Sequence, residues 1–473
     1  MPRLRVTIVD DSDSKESLVH EPGDGPEDSA EKTGLTGRVA VLRETLIGAF
    51  GVMMVAVTLA SALNYLFSVL MSHMLNARGA FSSFNSLNSI FLIVTLGALS
   101  VQTVITKYIA EYEVLGEHNK VRLLLKKFSW WLLLLGVVIL LISVGVAWPL
   151  ASLLHLSSPA FVVLLGASVG ITLYLTLPYG ILQGTQRFLA LGLAAISVAS
   201  LRIVFGYVLV KIGFGVYGAL AAATLAGLLV TAVIVYFFRA FFIGKTELDD
   251  TFHPATALWA IVPVALAVFL VIFMTQIDVV IVKAVKGAVV ADVYSKAALA
   301  GKAVLFFPEG VTLVMFPRVS AMRERGEPTG RVLWLSMAAA GGLVAAVVAF
   351  YAVFPGFTAS FFAGKDAKVV TGIAAPAGIN FVVLFGIVMA IFALIKLLAF
   401  YHLALERKAF IAIYAVGAAA EVAGILLYHR TLPQVLIVML IVGATLLLVS
   451  LAFAAKEKPA KAGYSLAREV PNT

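Results

Sequence analysis

The sequence predicts an all-α integral membrane protein whose twelve transmembrane helices form two six-helix lobes around a central cavity. Composition is the first observation: 61% of the residues are hydrophobic and 13% are charged, with a mean hydropathy of +1.01, whereas soluble domains carry roughly 25% charged residues. The second is length, because polar gaps divide the chain into twelve apolar stretches, and about 20 helical residues cross the hydrocarbon of a bilayer. The third is a weak internal repeat of six spans.

The two lobes are predicted at 46–243 and 258–455, joined by a cytoplasmic linker at 244–257. The spans of the first lobe are predicted at Leu46–Met71, Phe84–Ile105, Phe128–Leu150, Ala160–Leu182, Phe188–Val210 and Val216–Phe238. Those of the second are predicted at Leu258–Val282, Val293–Phe316, Val332–Phe354, Val370–Phe400, Ala409–Tyr428 and Leu432–Phe453.

Residues 1–45 differ from the rest of the chain, because they are rich in Asp and Glu and contain Pro and Gly. Such a segment buries too little apolar surface to order itself, so we expect a disordered acidic tail. It also lacks the apolar core of a signal peptide, and no cleavage is expected. A solvated tail and a regulatory docking site both remain open. A second cytoplasmic tail is predicted at 456–473.

The distribution of Lys and Arg predicts which side of the membrane each loop faces. With the N-terminus inside, the cytoplasmic segments hold most of the 35 basic residues. Cytoplasmic loops of membrane proteins carry such an excess, so both termini are predicted to be cytoplasmic. The outer loops hold only Arg78, Lys211, Lys283, Lys286, Lys365, Lys368 and Arg430.

Charge positions also suggest that the two sets of six spans repeat one another. Leu115-Gly116-Glu117 aligns with Arg325-Gly326-Glu327 at an offset of about 210 residues. In the fifth helices, Arg202 aligns with Glu421 at an offset of about 219. Six is an even number, so both halves start on the same side of the membrane. They are predicted to be a parallel repeat, related by an axis along the membrane normal.

Composition excludes several kinds of site. The chain has no cysteine, which excludes disulfides, thiol nucleophiles and thiolate metal sites. Its seven histidines are too scattered for a metal-ligand cluster. No metal or other cofactor is expected, apart from Na⁺ or H⁺ as a coupling ion. The net charge of +9 reflects loop orientation rather than nucleic-acid binding.

Ionisable side chains inside the predicted spans are the main candidates for function, because each costs a few kcal/mol at mid-bilayer unless it faces a partner or water. The shallow ones have structural alternatives: Lys296 and Lys396 can snorkel to an interface, and Asp278 can pair with Lys283 or a neighbouring helix. For Arg202 and Glu421 the alternative is a fixed salt bridge between the halves. The candidates are Arg202, Asp278, Lys296, Lys302, Glu309, Lys396 and Glu421.

Helical geometry predicts the relative positions of two pairs of charged residues. Lys302 and Glu309 are seven residues apart in predicted span eight, so they are expected on one face of the helix, roughly 10 Å apart, and able to line one aqueous groove. Pro308 precedes Glu309, and its missing N–H frees a carbonyl beside that carboxylate, an arrangement suited to a cation or simply to a kink. Asp292 and Lys296, four residues apart, are expected to pair.

Neutral polar residues on the spans add to this picture. Each alone suits a hydrogen bond between helices. Together with the charges, they favour a water-filled interior over a dry bundle. These candidate cavity residues are Asn64, Asn88, Gln102, Gln276 and Asn380.

Two stretches resemble the polysaccharide-transporter flippases of the multidrug/oligosaccharidyl-lipid/polysaccharide (MOP) exporter superfamily. Gly180-Ile-Leu-Gln-Gly-Thr-Gln-Arg-Phe188, continuing through Arg202 to Gly218, is similar to their fourth-to-sixth helix region. Gln276-Ile-Asp278, continuing through Tyr294 to Met315-Phe316-Pro317-Arg318-Val319-Ser320, is similar to their seventh and eighth helices. Twelve spans with both ends cytoplasmic also match over about residues 44–455.

This resemblance implies a multi-pass flippase of the cytoplasmic membrane, in which two six-helix lobes open alternately to the inside and the outside. The cargo would be an oligosaccharide on a polyprenyl phosphate or pyrophosphate. By the resemblance, Arg202, Lys302 and Lys396 would hold the anionic head group, and Asp278, Glu309 and Glu421 would couple an ion gradient. The implied partners are the lipid-linked glycan, membrane lipids and glycosyltransferases or a polymerase of a glycan pathway. A monomer without nucleic acid is expected.

Three other functions remain open. A membrane glycan polymerase or ligase needs acid/base or metal-binding groups gathered at one face, and the short outer loops carry no paired carboxylates. A drug or cation exporter of the same superfamily needs a net-negative cavity, whereas the deep charges here are mixed. A lipid II flippase shares the Phe316-Pro317-Arg318 pattern but typically has fourteen spans rather than twelve.

Overall fold

The computed structural model describes residues 51, 53, 55–239, 254–373 and 375–455. Both predicted tails, 1–45 and 456–473, and most of the predicted linker lie outside these residues. The helices of the first half are α1 (Val55–Met74), α2 (Ala80–Val114), α3 (His118–Gly145), α4 (Ala147–Leu153), α5 (Ala160–Gly184), α6 (Phe188–Leu209) and α7 (Gly215–Phe237). Those of the second are α8 (Pro254–Val285), α9 (Ala288–Lys302), α10 (Glu309–Glu324), α11 (Gly330–Val353), α12 (Pro355–Ala363), α13 (Ala367–Thr371), α14 (Phe381–Ala404), α15 (Phe410–Leu427) and α16 (Leu432–Ala455).

Each of the twelve predicted spans overlaps a helix. Within the described residues, ten helices are long and apolar enough to cross a membrane. One of the ten, Phe188–Phe237, covers predicted spans five and six, and predicted span two lies in α2. The prediction of an all-α integral membrane fold is confirmed.

Predicted spans five and six are joined by a tight turn. A π-helical segment, Val210–Phe214, connects α6 to α7. Gly213 and Gly215 have φ values of 102° and 50°, in the left-handed region that glycine adopts without a Cβ clash. Since α6 and α7 pack against each other, the chain reverses direction at these glycines.

Predicted span eight is broken in its middle, and this changes which way its charges point. α9 ends at Lys302, a 3₁₀ turn follows at Ala303–Phe306, and α10 begins at Glu309. Pro308, which has no backbone N–H to donate, precedes the new helix. The expectation that Lys302 and Glu309 share one face is wrong, because the two residues stand on different helices.

Predicted span ten starts later than expected. Residues 376–378 form a 3₁₀ turn, and α14 begins only at Phe381. The Asn380 side chain accepts a hydrogen bond of 3.0 Å from the Val382 backbone N–H and so caps the helix. Asn380, a predicted cavity residue, therefore has a local structural role.

Matching turns support the predicted internal repeat. Gly116 and Gly326 both have left-handed backbones, with φ values of 69° and 70°, one after α2 and the other after α10. Farther along each half, the Arg187 guanidinium lies 4.9 Å from the Phe238 ring centroid, and Arg407 lies 5.7 Å from that of Phe453. The two halves therefore repeat the same structural details in the same order.

Helix α2 connects the two halves. It packs along α5 in the first half and along α8 and α9 in the second. The described residues of both halves, from residue 53 onward, belong to one compact unit. Side chains on α2 can therefore meet groups from both halves.

Candidate functional site

A polar cavity of about 360 Å³ lies between the two halves. Among the described residues, those that line it include two cations, Arg202 and Lys302, and no carboxylate. The first half contributes Ser61, Asn64, Tyr65, Ser68, Asn85, Asn88, Phe91, Leu92 and Arg202, and the second contributes Gln276, Leu299, Lys302, Leu305 and Phe306. The predicted residues Arg202, Lys302, Asn64, Asn88 and Gln276 are thus brought together.

Arg202 is fixed on the first-half wall of the cavity. Its guanidinium donates to Asn64 Oδ1 at 3.1 Å and to Asn88 Oδ1 at 2.9 Å. Its central carbon lies 4.4 Å from the Phe67 ring centroid, a cation–π geometry. These partners come from α1 and α2 and carry no negative charge. The positive charge of Arg202 is therefore uncompensated by its direct contacts, and the predicted alternative of a salt bridge with Glu421 is wrong.

A glycine makes room for the aromatic ring beneath Arg202. Gly206 lies one turn after Arg202 on α6, and a Cβ added there would approach Phe67 to 2.4 Å. Real Cβ contacts are essentially never that short. Gly206 therefore lets Phe67 pack close to α6, where its ring supports the guanidinium.

Lys302 lies on the second-half wall and pairs with a carboxylate behind it. Its ammonium donates to Asp278 Oδ1 at 2.9 Å and to Gln276 Oε1 at 3.2 Å. Asp278 is fully buried and accepts a second hydrogen bond, 2.9 Å long, from the Tyr294 hydroxyl. Gln276 also accepts from Ser89 of α2 at 3.1 Å. The suggested partner of Asp278, Lys283, is thus replaced by Lys302.

Glu421 is buried on α15 behind the same pair. Its side chain is fully buried, and neither carboxyl oxygen has a hydrogen-bond partner among the described residues. It lies close enough to Asp278 and Lys302 to interact with both electrostatically. Glu421 does not line the cavity, contrary to the expectation for this residue. We call Asp278, Tyr294, Lys302 and Glu421 the carboxyl chamber.

The Asp278–Lys302 pair gives a stability prediction. Asp278→Asn leaves the Lys302 ammonium without its counter-ion, and breaking one partner of a buried ion pair costs about 3–5 kcal/mol. Asp278→Asn combined with Lys302→Met removes both charges and should restore most of that loss. The thermal unfolding midpoint of the purified protein in detergent measures both. A double variant no more stable than the single one would contradict this pairing.

Glu309 and Lys396 neutralise each other outside the cavity lining. The Lys396 ammonium lies 2.6 Å from Glu309 Oε1. The break before α10 turns Glu309 toward α14, where Lys396 lies. Neither residue lines the cavity between the halves. The roles predicted for them, head-group binding and ion coupling, have no support from this geometry.

Gln102 forms a separate polar contact in the first half. Its amide donates to Gln183 Oε1 at 2.9 Å, and Thr106 donates to the same oxygen at 3.3 Å. This network joins α2 to α5. Gln102 therefore ties two helices of one half together and is not a lining residue.

Asp292 joins the two halves at the predicted outer end, which the sequence did not indicate. Its carboxylate accepts from the backbone N–H groups of Gly79 at 2.6 Å and Ser82 at 2.7 Å, at the start of α2. The Lys283 ammonium donates to Ser82 Oγ at 3.1 Å. We call these four residues the outer latch. The expected Asp292–Lys296 pair is wrong, because Lys296 pairs instead with Asp366 at 2.5 Å.

Several residues that line the cavity were not predicted from the sequence. Ser61, Tyr65 and Ser68 line the cavity beside Asn64. Their spacing of three or four residues places them on one face of α1, so this row of polar residues could have been predicted from the sequence. No pattern in the sequence indicated the contacts that Tyr294 and Asp292 make outside the lining, because their partners lie on other helices.

Comparisons with known proteins agree on the fold. No family model matches the sequence, and no curated protein matches it. Among solved structures, a multidrug-resistance MATE family transporter of the MOP superfamily in an inward-facing conformation is similar, with a TM-score of 0.66, 14% identity and coverage of 83% of this chain and 94% of that chain. The lipid II flippase MurJ in an inward closed conformation gives 0.64, 12% identity, and 86% and 87% coverage.

A third similar structure is a MOP superfamily transporter from Pyrococcus furiosus, described as having a binding pocket of reverse polarity. It gives a TM-score of 0.60 at 16% identity and covers 86% of this chain and 94% of that chain. Identities this low establish shape rather than activity. The chain is a multi-pass membrane protein with the fold of the MATE family transporters and of the lipid II flippase MurJ.

Proposed function

We propose that this protein translocates a polyprenyl-phosphate- or pyrophosphate-linked oligosaccharide across the cytoplasmic membrane by alternating access. The observation that carries the proposal is the lining of the cavity between the halves: two cations, uncharged polar side chains, and no carboxylate among the described residues. A basic cavity in a low-dielectric bundle attracts anions. It suits a phosphate head group and disfavours an organic cation.

The cavity divides naturally into two parts for such a cargo. Arg202 offers a planar fork of donors, the geometry that binds phosphate oxygens, and Lys302 faces it from the other half. The serine and asparagine side chains of α1 and α2 offer both donors and acceptors, as sugar hydroxyls require. The prenyl chain is proposed to remain in the surrounding lipid.

The outer latch supports alternating access from a closed outer end. Asp292 and Lys283 of the second half hold the start of α2 in the first half. With the predicted sidedness, we infer that the described state is closed to the outside and that the head group reaches the cavity from the cytoplasm. Outward opening then requires these contacts to break.

Ion coupling belongs to the same proposal, and the carboxyl chamber is its best-supported site. Asp278 and Glu421 are fully buried carboxyls beside the cavity. Glu309 and Lys396, paired with each other, remain a weaker candidate. Asp278→Asn should lower the dependence of transport on a proton or sodium gradient, whereas Glu309→Gln should lower it less. Transport by Asp278→Asn that responds fully to both gradients would remove Asp278 from coupling.

Export by the purified protein tests the function itself. Proteoliposomes containing a labelled lipid-linked oligosaccharide should expose the glycan to an outside glycosidase faster with the protein than without it. No acceleration, together with uptake of an organic cation, would instead favour a MATE-like antiporter. Acceleration seen only with lipid II as the cargo would instead favour a lipid II flippase.

A further inference from the structure

The ammonium of Lys302 belongs to two sites at once. It lines the cavity, and it contacts Asp278 at 2.9 Å. Resting on the proposed function, we infer that Lys302 exchanges between Asp278 and the bound head group, and that a proton replaces it on Asp278. Binding of an anionic head group in the cavity would then draw one proton into the carboxyl chamber.

Burial separates the carboxyl chamber from the cavity. Asp278, Tyr294 and Glu421 are fully buried, and Lys302 is 8% exposed. None of the first three lines the cavity. The lysine is thus the member of the chamber that a ligand in the cavity can touch. Its four-carbon stem is flexible and carries a mobile point charge, unlike the fixed fork of Arg202.

Charge balance in the chamber sets the consequence of moving the lysine. The Asp278 carboxylate is balanced by the Lys302 ammonium at 2.9 Å, and Glu421 has no donor on either oxygen among the described residues. A bare second carboxylate is too costly in such surroundings, so Glu421 holds a proton. When Lys302 leaves, Asp278 keeps only the Tyr294 hydrogen bond. An uncompensated buried carboxylate takes up a proton instead.

Among the described residues, no other cation on the helices around the chamber pairs with its carboxyls, because Lys283 of α8 contacts Ser82 and Lys296 of α9 pairs with Asp366. α8 contributes Asp278, α9 contributes Tyr294 and Lys302, and α15 contributes Glu421. α14 presents the Phe381 and Phe385 rings to Tyr294. α16 contributes Met439, whose sulfur lies 4.0 Å from the Tyr294 hydroxyl. Among described residues, the compensating cation must therefore be Lys302 or a proton from solution.

This exchange makes the two binding events cooperative. An anion that holds Lys302 in the cavity raises the affinity of the chamber for a proton, and a proton in the chamber raises the affinity of the cavity for the anion by the same factor. The lysine would thus be a positioning residue that links substrate binding to proton uptake. The inference names the proton, rather than sodium, as the ion that binds together with the head group.

Calorimetry of the full-length protein in detergent tests the exchange with farnesyl diphosphate as the probe. Titrations in buffers of different ionisation enthalpy give the number of protons taken up per ligand bound. The wild type should take up about one proton more than Asp278→Asn. Lys302→Ala should bind more weakly and also lack this proton, because its chamber is already protonated. Two variants keep the test usable if one of them fails to fold.

Glu406→Gln is the matched control. Glu406 lies outside the chamber in the α14–α15 loop and pairs with Arg323 at 2.9 Å. That hydrogen bond lowers the pKa of the Glu406 carboxyl, so it remains ionised at neutral pH. Its equivalent in the first half, Gln186, has the same left-handed backbone, and glutamine should be accommodated. This variant should take up as many protons as the wild type.

Three results would overturn the inference. Equal proton uptake by the wild type, Asp278→Asn and Lys302→Ala would leave the proposed function standing but remove the exchange. Binding that tightens with sodium and takes up no extra proton would do the same. Absence of farnesyl diphosphate binding by the wild type would instead remove both the exchange and the anionic head-group site on which it rests.

Discussion

Arg202→Ala is expected to reduce export of the lipid-linked oligosaccharide about a hundredfold. A charged hydrogen bond contributes about 1.5–3 kcal/mol, and each 1.4 kcal/mol is a factor of ten. Among the described residues, the guanidinium contacts no carboxylate and donates to the neutral side chains of Asn64 and Asn88. Removing it therefore removes the fixed cation of the cavity. The initial rate of glycan export from proteoliposomes measures the effect.

Two other variants separate the charge from its geometry and from its location. Arg202→Lys keeps the charge but loses the planar fork, so intermediate export is expected. Arg187→Ala is the matched control, because Arg187 also stacks on a phenylalanine of the first half, at 4.9 Å, but does not line the cavity. It should export at the wild-type rate. Full export by a correctly folded Arg202→Ala protein would remove Arg202 from head-group binding.

Asp292→Ala is expected to shift the protein toward a state open at the predicted outer end. The carboxylate accepts two backbone hydrogen bonds from the start of α2, at 2.6 Å and 2.7 Å. Each is charge-assisted, and losing one such bond costs about 1.5–3 kcal/mol. The ratio of open to closed molecules should therefore rise at least about tenfold.

Spin-label distances across the predicted outer end measure this shift. The chain has no cysteine, so labels at Ser157→Cys and Lys368→Cys are unique. A longer distance should gain population in Asp292→Ala. Asp366→Asn is the control, because the Lys296–Asp366 pair joins parts of one half only, and its distances should match the wild type. An unchanged distribution in Asp292→Ala would mean that the latch does not hold the halves together.

The helices and the cavity cations were predictable from the sequence for a physical reason. Hydrocarbon thickness fixes the length of an apolar span, and a charge in that span needs water or a partner. Both rules act locally along the chain. They led to the all-α membrane fold and to Arg202 and Lys302 on the cavity wall.

The partners of those charges were not predictable, since they depend on contacts between distant segments. The break between α9 and α10 places Lys302 and Glu309 on different helices. A prediction from helical spacing assumes one unbroken helix and therefore could not include this break. Asp278 and Lys302 meet because α8 and α9 pack together. Asp292 contacts the start of α2 more than 200 residues earlier in the chain. A single sequence carries no signal for such pairings.

Chemical accessibility of one cavity position tests most directly whether the intramembrane charges surround a wet passage between the halves. Ser61 lines the cavity, whereas Ser450 is buried between His402 and Tyr414. A membrane-impermeant thiol reagent should modify Ser61→Cys from the predicted cytoplasmic side, with protection by farnesyl diphosphate, and should leave Ser450→Cys unmodified. A Ser61→Cys protein that reacts from neither side would contradict a wet passage and the transport function built on it.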